Sequence, residues 1–152
     1  MEPIEKLIPH RPPFLFVDEI IAEGPNCITA RRRVRPEEDF FRGHYPGNPI
    51  MPGVLICESV FQTGCALLTR QLAAKSQDLS KFTPVLTRIT EVKFRNPVKP
   101  GDELILEVKL KEQMGHFMFM TGAARTADGL RVLTVDFGVA LVERAPEGAP
   151  QP

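Results

Sequence analysis

Two residues near the middle of the chain have the types and the spacing needed for acid–base chemistry. His44 lies in a segment rich in glycine and proline, and Glu58 follows 14 residues later among apolar residues. An imidazole held in a rigid loop can act as a base near neutral pH. A carboxyl group surrounded by apolar side chains has a raised pKa, which suits a general acid. His44 and Glu58 are therefore candidate catalytic residues.

Both residues also have structural interpretations that remain open at this point. His44 could simply stabilise its loop, and Glu58 could be a buried carboxylate neutralised by an Arg or Lys from a neighbouring strand. Gln62 follows Glu58 by four residues on the same face of a predicted helix, where it could hydrogen-bond to the carboxylate and orient it. The other two histidines, His10 and His116, are interpreted as structural or exposed.

The start of the predicted helix supplies a third group. The backbone N–H groups around Gly53 and Val54 have no partner within the helix and carry positive partial charge. They could polarise a carbonyl group and stabilise an enolate-like oxyanion. A base, an acid and oxyanion donors together suit removal of a proton alpha to a carbonyl with loss of a beta hydroxyl.

Charge and motifs argue against several other function classes. The 19 basic side chains are balanced by 19 acidic ones, which argues against nucleic-acid binding. The arginine run at 31–33 precedes three acidic residues and is interpreted as a solvated strand end. The histidines are scattered and the three cysteines form no CxxC pair, so no metal site is expected. Neither a phosphate-binding loop nor a nucleophile elbow is present.

The cysteines and the hydropathy indicate the compartment. The chain has an odd number of cysteines, Cys27, Cys57 and Cys65, which fits a reducing environment. Cys57 and Cys65 are expected to pack in the core. No segment has the length and apolar character of a signal peptide or a membrane span. We therefore expect a cytoplasmic protein without membrane contact.

The pattern of glycine, proline and apolar residues predicts the elements that position these groups. Residues 43–53 hold three glycines and three prolines, which predicts a shaped loop. Residues 54–75 predict a helix, and ten apolar residues among its first fifteen indicate that it is buried. An Asp-Gly pair at 128–129 indicates a hairpin. Strands are predicted at 14–22, 27–34, 83–94, 103–113, 117–127 and 130–142.

Together these elements predict an α+β domain in residues 1–142. An antiparallel sheet of about six strands would wrap around one long central helix. The last three strands are joined by short turns and are expected to form a meander. Residues 143–152 contain three prolines and are expected to form a disordered tail.

The central segment also resembles a known family. GHYPGNPIMPGVLICE, residues 43–58, is similar to the motif GHFPGxPxMPGVLxxE of the beta-hydroxyacyl-ACP dehydratases, the hot-dog-fold enzymes of bacterial fatty-acid synthesis. Tyr45 replaces the more usual Phe. PHRPPFLFVD at 9–18 resembles the family's opening strand, and VKFRNPVKPGD at 92–102 resembles the strand and turn after its helix. Glu58, where the isomerase branch usually has Asp, favours the plain dehydratase branch.

The resemblance implies a hot-dog fold and a hydro-lyase that converts 3-hydroxyacyl thioesters on acyl carrier protein to trans-2-enoyl thioesters. His44 would remove the alpha proton, Glu58 would assist departure of the beta hydroxyl, and the Gly53 amide would hold the thioester carbonyl. His44 of one protomer would meet Glu58 of its dimer partner, with the acyl tunnel along the interface. Dimers would assemble further as a trimer of dimers, and no cofactor is implied.

Some assignments have two interpretations. Lys93, Arg95 and Lys99 could meet the acidic carrier protein or form a solvated strand end. The methionines at 114, 118 and 120 could line an acyl channel or pack in the core. Two other functions stay open: a hot-dog dehydratase of a specialised lipid or polyketide pathway, and a non-enzymatic hot-dog domain that binds acyl chains.

Overall fold

One long helix packs against a six-stranded antiparallel sheet. The computed structural model describes residues 2–77 and 79–145 of the chain. Its α-helices are α1 (Ile4–Leu7) and α2 (Gly53–Ala74), and short 3-10 helices span Asp39–Arg42 and Leu79–Lys81. The strands are β1 (Glu19–Gly24), β2 (Cys27–Arg33), β3 (Phe82–Phe94), β4 (Glu103–Met114), β5 (Phe117–Thr126) and β6 (Arg131–Glu143).

The strand order in the sheet is β1-β2-β4-β5-β6-β3, and every neighbouring pair is antiparallel. The predicted meander of the last three strands is confirmed. Gly115 and Gly129 adopt positive φ angles of 58° and 96° in its two turns, a conformation that glycine adopts without steric cost. β1 and β3 are the edge strands, so each has one side without a hydrogen-bonded neighbour among the described strands.

Helix α2 is buried along most of its length, as its composition predicts. Its fully buried residues include Val60 and Ala66, both with no exposed surface. Close contact with the sheet requires a residue without a Cβ on β5, because a Cβ at Gly122 would overlap the Val60 side chain. Gly64 on the helix has the same role, since a Cβ there would lie 2.9 Å from Phe137 Cζ. The sheet therefore curves around the helix at a very short separation.

The prediction for the first strand is wrong over its first half. Residues 14–18 are not part of the sheet, and β1 begins only at Glu19. The backbone of Phe14 and Phe16 instead bonds to the side chain of Gln62 on α2. Phe16 and Val17 are nevertheless buried. The Gln62 side chain takes the place of a strand partner for the Phe16 N–H and the Phe14 carbonyl, and the first bond to β2 is made by the Asp18 N–H, which donates to the Arg31 carbonyl.

The other boundaries agree with the predictions within about two residues. Helix α2 begins at Gly53, one residue earlier than predicted. The last strand extends to Glu143, the first residue of the predicted tail, and the rest of that tail from residue 146 lies outside the described residues. Among the helices that the structure describes, none is long and apolar enough to cross a membrane.

Candidate active site

The loop before α2 holds the imidazole of His44 in one orientation. Its Nδ1 lies 2.8 Å from the carbonyl oxygen of Ile50. A carbonyl oxygen only accepts hydrogen bonds, so Nδ1 must carry the proton. In the neutral ring Nε2 is then left with its lone pair, and this is the atom that can accept a proton.

The backbone conformation of this loop is unusual and well anchored. Tyr45, directly after His44, has a φ of 54°, and Gly47 has a φ of 91°. Non-glycine residues rarely adopt positive φ, and such positions cluster at functional sites. The His44 N–H donates to the Phe40 carbonyl at 3.0 Å, and the N–H of Met51 donates to the Val98 carbonyl at 2.8 Å. The loop is therefore tied to the body of the protein on both sides of the imidazole.

Gln62 holds the Glu58 side chain, as their separation of four residues on a helix predicts. Gln62 Nε2 donates to Glu58 Oε1 at 2.9 Å, and the Gln62 side chain is fully buried. Gln62 Oε1 accepts the N–H of Phe16 at 2.8 Å, and Gln62 Nε2 also donates to the Phe14 carbonyl at 3.2 Å. The amide group therefore cannot rotate without losing bonds. The Glu58 side chain retains 23% of its exposure, so its burial in the single chain is partial.

His10 lies on the other side of the Glu58 carboxylate. Its Nε2 is 3.6 Å from Glu58 Oε1. Burial lowers the pKa of His10, although Glu58 acts in the opposite direction and Arg11 adds to the decrease. Folding therefore favours the neutral form of the His10 imidazole. Among the described residues no Lys or Arg pairs with Glu58, so the interpretation of Glu58 as a carboxylate neutralised by the sheet is wrong.

Glu58 opens into a cavity of about 300 Å³ between α2 and the edge of the sheet. Four further residues of α2, at 3, 4, 7 and 10 positions after Glu58, line it together with Glu58, so the cavity follows one face of the helix. Its lining is mostly apolar. It consists of Pro9, His10, Glu58, Phe61, Gln62, Cys65, Leu68, Thr83, Pro84, Leu86 and Val139.

Two predicted features differ in their relation to this cavity. His44 is not among its lining residues, so within one chain the candidate base and the candidate acid do not share it.

Cys65 lines the cavity and is otherwise buried as predicted, and burial raises the pKa of its thiol to about 12. A thiol with this pKa is protonated at neutral pH and is a poor nucleophile.

The start of α2 presents backbone donors to the surroundings. Pro52 precedes the helix and supplies no side-chain cap, while its carbonyl accepts the N–H groups of Leu55 and Ile56. The N–H groups of Gly53 and Val54 have no acceptor among the described residues. They are therefore available to an oxygen atom of a ligand.

The end of β3 lies against this helix start. The ring of Phe94 packs on Gly53 so closely that a Cβ there would lie 2.8 Å from Phe94 Cε1. Lys93 and Arg95 flank Phe94, are exposed, and make no ion pair with a described residue. Lys99 is also exposed, and its N–H donates to Asp102 Oδ2 at 2.8 Å. Lys93 and Arg95 thus neighbour a residue whose ring contacts the helix start, and Lys99 lies in the turn that follows.

The remaining predicted candidates lie elsewhere. Met118 and Met120 are buried in the core and Met114 is exposed, and none of them lines the cavity beside Glu58. Core packing therefore explains the two buried methionines. In the part of the chain that the structure describes, no cluster of three His, Cys, Asp or Glu could hold a metal ion.

The sequence did not single out His10 as a neighbour of Glu58. The two residues are 48 positions apart, so no spacing rule connects them. The available signal was the pair of prolines after Arg11, because proline restricts the backbone and turns the segment back toward α2.

Comparison with known proteins shows which family the chain resembles. Residues 8–136 match the family model described as the FabA-like domain. The chain is 42% identical over 142 residues to a protein of Anaeromyxobacter sp. (strain K) named 3-hydroxyacyl-[acyl-carrier-protein] dehydratase FabZ, covering 93% of this chain and 89% of that protein. A protein of the same name from Caulobacter vibrioides is 36% identical, covering 92% of this chain and 86% of that protein.

Solved structures share the fold at much lower identity. The dehydratase heterocomplex ApeI:P from Xenorhabdus doucetiae has a TM-score of 0.81 and 15% identity, covering 95% of this chain and 93% of that chain. The PaaI protein of E. coli, from the phenylacetic acid degradation operon, has a TM-score of 0.63 and 11% identity, covering 80% and 81%. The fold is the hot-dog fold, as predicted.

Proposed function

Since the chain belongs to the FabA-like family and, within it, to the FabZ-type 3-hydroxyacyl-[acyl-carrier-protein] dehydratases, we propose that His44 and Glu58 are its catalytic pair and act across a dimer interface. The chain is an enzyme of fatty-acid biosynthesis that removes water from 3-hydroxyacyl-[acyl-carrier-protein] to form the trans-2-enoyl thioester. The function predicted from the sequence is confirmed. The roles of individual residues are the proposal.

The observation that carries this proposal is the hydrogen bond between His44 Nδ1 and the Ile50 carbonyl. It leaves Nε2 as the basic atom, and Nε2 takes a proton from C2 of the acyl chain. The electrons of that C–H bond form the C2–C3 double bond while the C3–O bond breaks. The hydroxyl group leaves as water with a proton from the Glu58 carboxyl. Solvent then returns a proton to Glu58 and accepts one from His44.

The start of α2 is the proposed site for the thioester carbonyl. Removing the C2 proton places negative charge on the carbonyl oxygen. The N–H groups of Gly53 and Val54, where the loop that carries His44 meets the helix, have no acceptor among the described residues and could donate to that oxygen. Gln62 orients the Glu58 carboxyl through the bond described above. The cavity along α2 would receive the acyl chain, because its lining is mostly apolar.

A second copy of the chain would bring the two halves of the site together. His44 does not line the cavity that contains Glu58, so one chain alone does not assemble the pair there. Edge strand β3 leaves Val85, Leu86 and Ile89 between 40% and 47% exposed, next to that cavity. A long apolar edge strand is a strong site for pairing with another strand. We therefore assign this edge to the homodimer, which could assemble further into a trimer of dimers.

Acyl carrier protein would dock where β3 ends. Lys93, Arg95 and Lys99 are exposed cations beside the helix start, and an acidic carrier protein complements them. The reaction requires no redox carrier and no metal, so we propose that the enzyme uses no cofactor. We also assign it to the cytoplasm, where its acyl carrier substrate would be made.

The decisive experiment measures hydration of trans-2-enoyl-ACP and its reverse with wild type, His44→Ala and Glu58→Gln. Wild type should turn over and both variants should lose activity by at least about a hundredfold, with the fold intact by circular dichroism. Mixed dimers of the two variants should recover one working site in two. Full activity in either single variant would refute the catalytic pair, and mixed dimers without activity would refute the interface arrangement.

A further inference from the structure

The buried ion pair between Arg32 and Glu38 connects β2 to the turn that leads to His44. Arg32 is the middle residue of the arginine run at 31–33, which the sequence indicated to be solvated, yet it is only 2% exposed. β2 alternates its side chains between two faces, so its neighbours Arg31 and Arg33 point outward while Arg32 points inward. Its Nη2 donates to Glu38 Oε2.

Glu38 organises the backbone around it. Its Oε1 accepts the N–H of Arg35 at 2.9 Å, and its own N–H donates to the Arg35 carbonyl at 3.2 Å. The N–H of Phe41 then donates to the Glu38 carbonyl at 3.1 Å. Glu38 therefore closes one turn with its side chain and starts the 3-10 helix Asp39–Arg42 with its carbonyl.

That 3-10 helix ends at the candidate base. The N–H of His44 donates to the Phe40 carbonyl at 3.0 Å, so hydrogen bonds run without a break from Arg32 to His44. The turn before the helix is also held by the ion pair between Arg35 and Asp18 at 2.7 Å, and the helix itself packs through Phe41, which is buried, and the partly buried Phe40. Its Asp39–Arg42 ion pair is more than 80% exposed and contributes little.

We propose that Arg32 and Glu38 are positioning residues that set the location of the His44 imidazole. They touch neither the proposed acyl cavity nor the start of α2. Arg32 also contacts the N-terminal segment, where its Nη1 lies 3.4 Å from the Leu15 carbonyl oxygen and its guanidinium lies 5.3 Å from the centre of the Phe16 ring. The mixed-dimer test below therefore separates action on His44 through the turn from action on Glu58 through Phe16 and Gln62. This inference rests on the proposed role of His44 as the base. A shift of about 1 Å in a reacting group is enough to lower the rate about a hundredfold, and a mobile turn would permit such a shift.

The main test compares Arg32→Met with Arg31→Met. Arg31 is adjacent on the same strand, but its guanidinium pairs with Glu19 at 2.9 Å and Glu103 at 3.4 Å on the outer face. Arg32→Met should lower kcat about 10- to 100-fold with KM changed less than about threefold. Arg31→Met should keep wild-type kinetics, and Arg32→Lys, which restores the charge, should recover most of kcat.

A second variant covers the case in which Arg32→Met fails to fold because Glu38 is left as an unpaired charge. The double variant Arg32→Met/Glu38→Gln removes both charges and leaves no buried ion without a partner. It should fold and still have the lowered kcat. A folded single or double variant with wild-type kcat would overturn the proposal, as would an equal loss in Arg31→Met.

Mixed dimers show through which residue the pair acts. When one chain carries His44→Ala and the other Glu58→Gln, the intact site takes His44 from the second chain and Glu58 from the first. Adding the double variant to the second chain should remove the recovered activity, and adding it to the first should not. Equal effects from both placements would overturn the positioning role. If no site is recovered, the interface arrangement fails, while kcat of the homodimers still decides the role of Arg32.

Discussion

Gln62 donates a hydrogen bond of 2.9 Å to Glu58 from one turn further along α2, and its side chain has no exposed surface. The same amide group accepts the N–H of Phe16 and donates to the Phe14 carbonyl. Gln62 thus joins the helix, the N-terminal segment and the proposed acid at one point. Changes at this position should affect both folding and catalysis.

We expect Gln62→Met to lower kcat about tenfold or more and to lower the free energy of unfolding by about 1–3 kcal/mol. The first effect follows because Glu58 loses its orienting donor, and the second because the Phe16 N–H is left buried without an acceptor. Steady-state kinetics and urea unfolding measure the two effects. Gln71→Met, near the other end of the same helix, should leave kcat unchanged, because Gln71 bonds to the Pro25 carbonyl and not to the site. Unchanged kcat in Gln62→Met would contradict the orienting role.

Acidification should destabilise the folded protein in part through His10. Burial lowers the pKa of His10 in the folded state, so the unfolded chain, with a His pKa near 6.5, binds the proton more tightly. Stability contributed by neutral His10 is therefore present above pH 6.5 and declines as the pH falls below it. Urea unfolding at several pH values between 7.5 and 5 should show a smaller loss for His10→Gln than for wild type. An equal loss of unfolding free energy in both proteins would show that folding does not lower the pKa of His10.

The close contact between α2 and β5 makes a clear stability prediction. Gly122→Ala places a methyl group where Val60 lies, so we expect a loss of about 1–3 kcal/mol in the free energy of unfolding. Adding Val60→Ala should relieve the overlap and make the double variant more stable than additive effects predict. Gly43→Ala is the control, because its Cβ would meet nothing within 4 Å. Strict additivity at Gly122 and Val60 would count against the contact.

Much of this architecture is readable from local sequence patterns. The meander β4–β5–β6 follows from apolar alternation interrupted by glycine turns, and the bond between Glu58 and Gln62 follows from their spacing of four on a helix. Contacts between distant segments were not predicted. Nothing in a run of three arginines shows that the middle one is buried, because its partner Glu38 is selected by the fold. The sequence likewise did not show that residues 14–18 lie outside the strand, because only the fold brings this segment to its partner Gln62.

The edge of β3 should control both assembly and activity. Ile89 is 47% exposed on this edge strand and does not line the cavity. Ile89→Lys should shift the protein toward the monomer in sedimentation experiments and reduce activity in proportion, since His44 and Glu58 would be separated. Leu130→Lys, in a hairpin turn and 48% exposed, is the matched control and should leave the assembly unchanged. A fully active Ile89→Lys monomer would argue for a site within one chain.

The carrier-docking surface can be tested by changing the substrate's carrier. Lys93→Glu and Arg95→Glu should raise KM for enoyl-ACP by about tenfold at low salt, with less effect at high salt, because the attraction is electrostatic. KM for the same acyl group on a small thiol should stay constant. Lys109→Glu, an exposed cation on β4, should behave as wild type with both substrates. An equal rise in KM for both substrates would show that these residues act on the acyl site.

The amide of Gln62 contacts main-chain atoms of Phe14 and Phe16, and those atoms are the same in nearly every amino acid. The exposed side chain at position 14 can therefore diversify while the support of the acid stays constant, whereas packing constrains the buried Phe16. Proline at position 16 is the exception, because it lacks the N–H that Gln62 accepts. Phe14 is 51% exposed close to Glu58, so this segment gives the enzyme an evolvable surface beside a site of constant geometry.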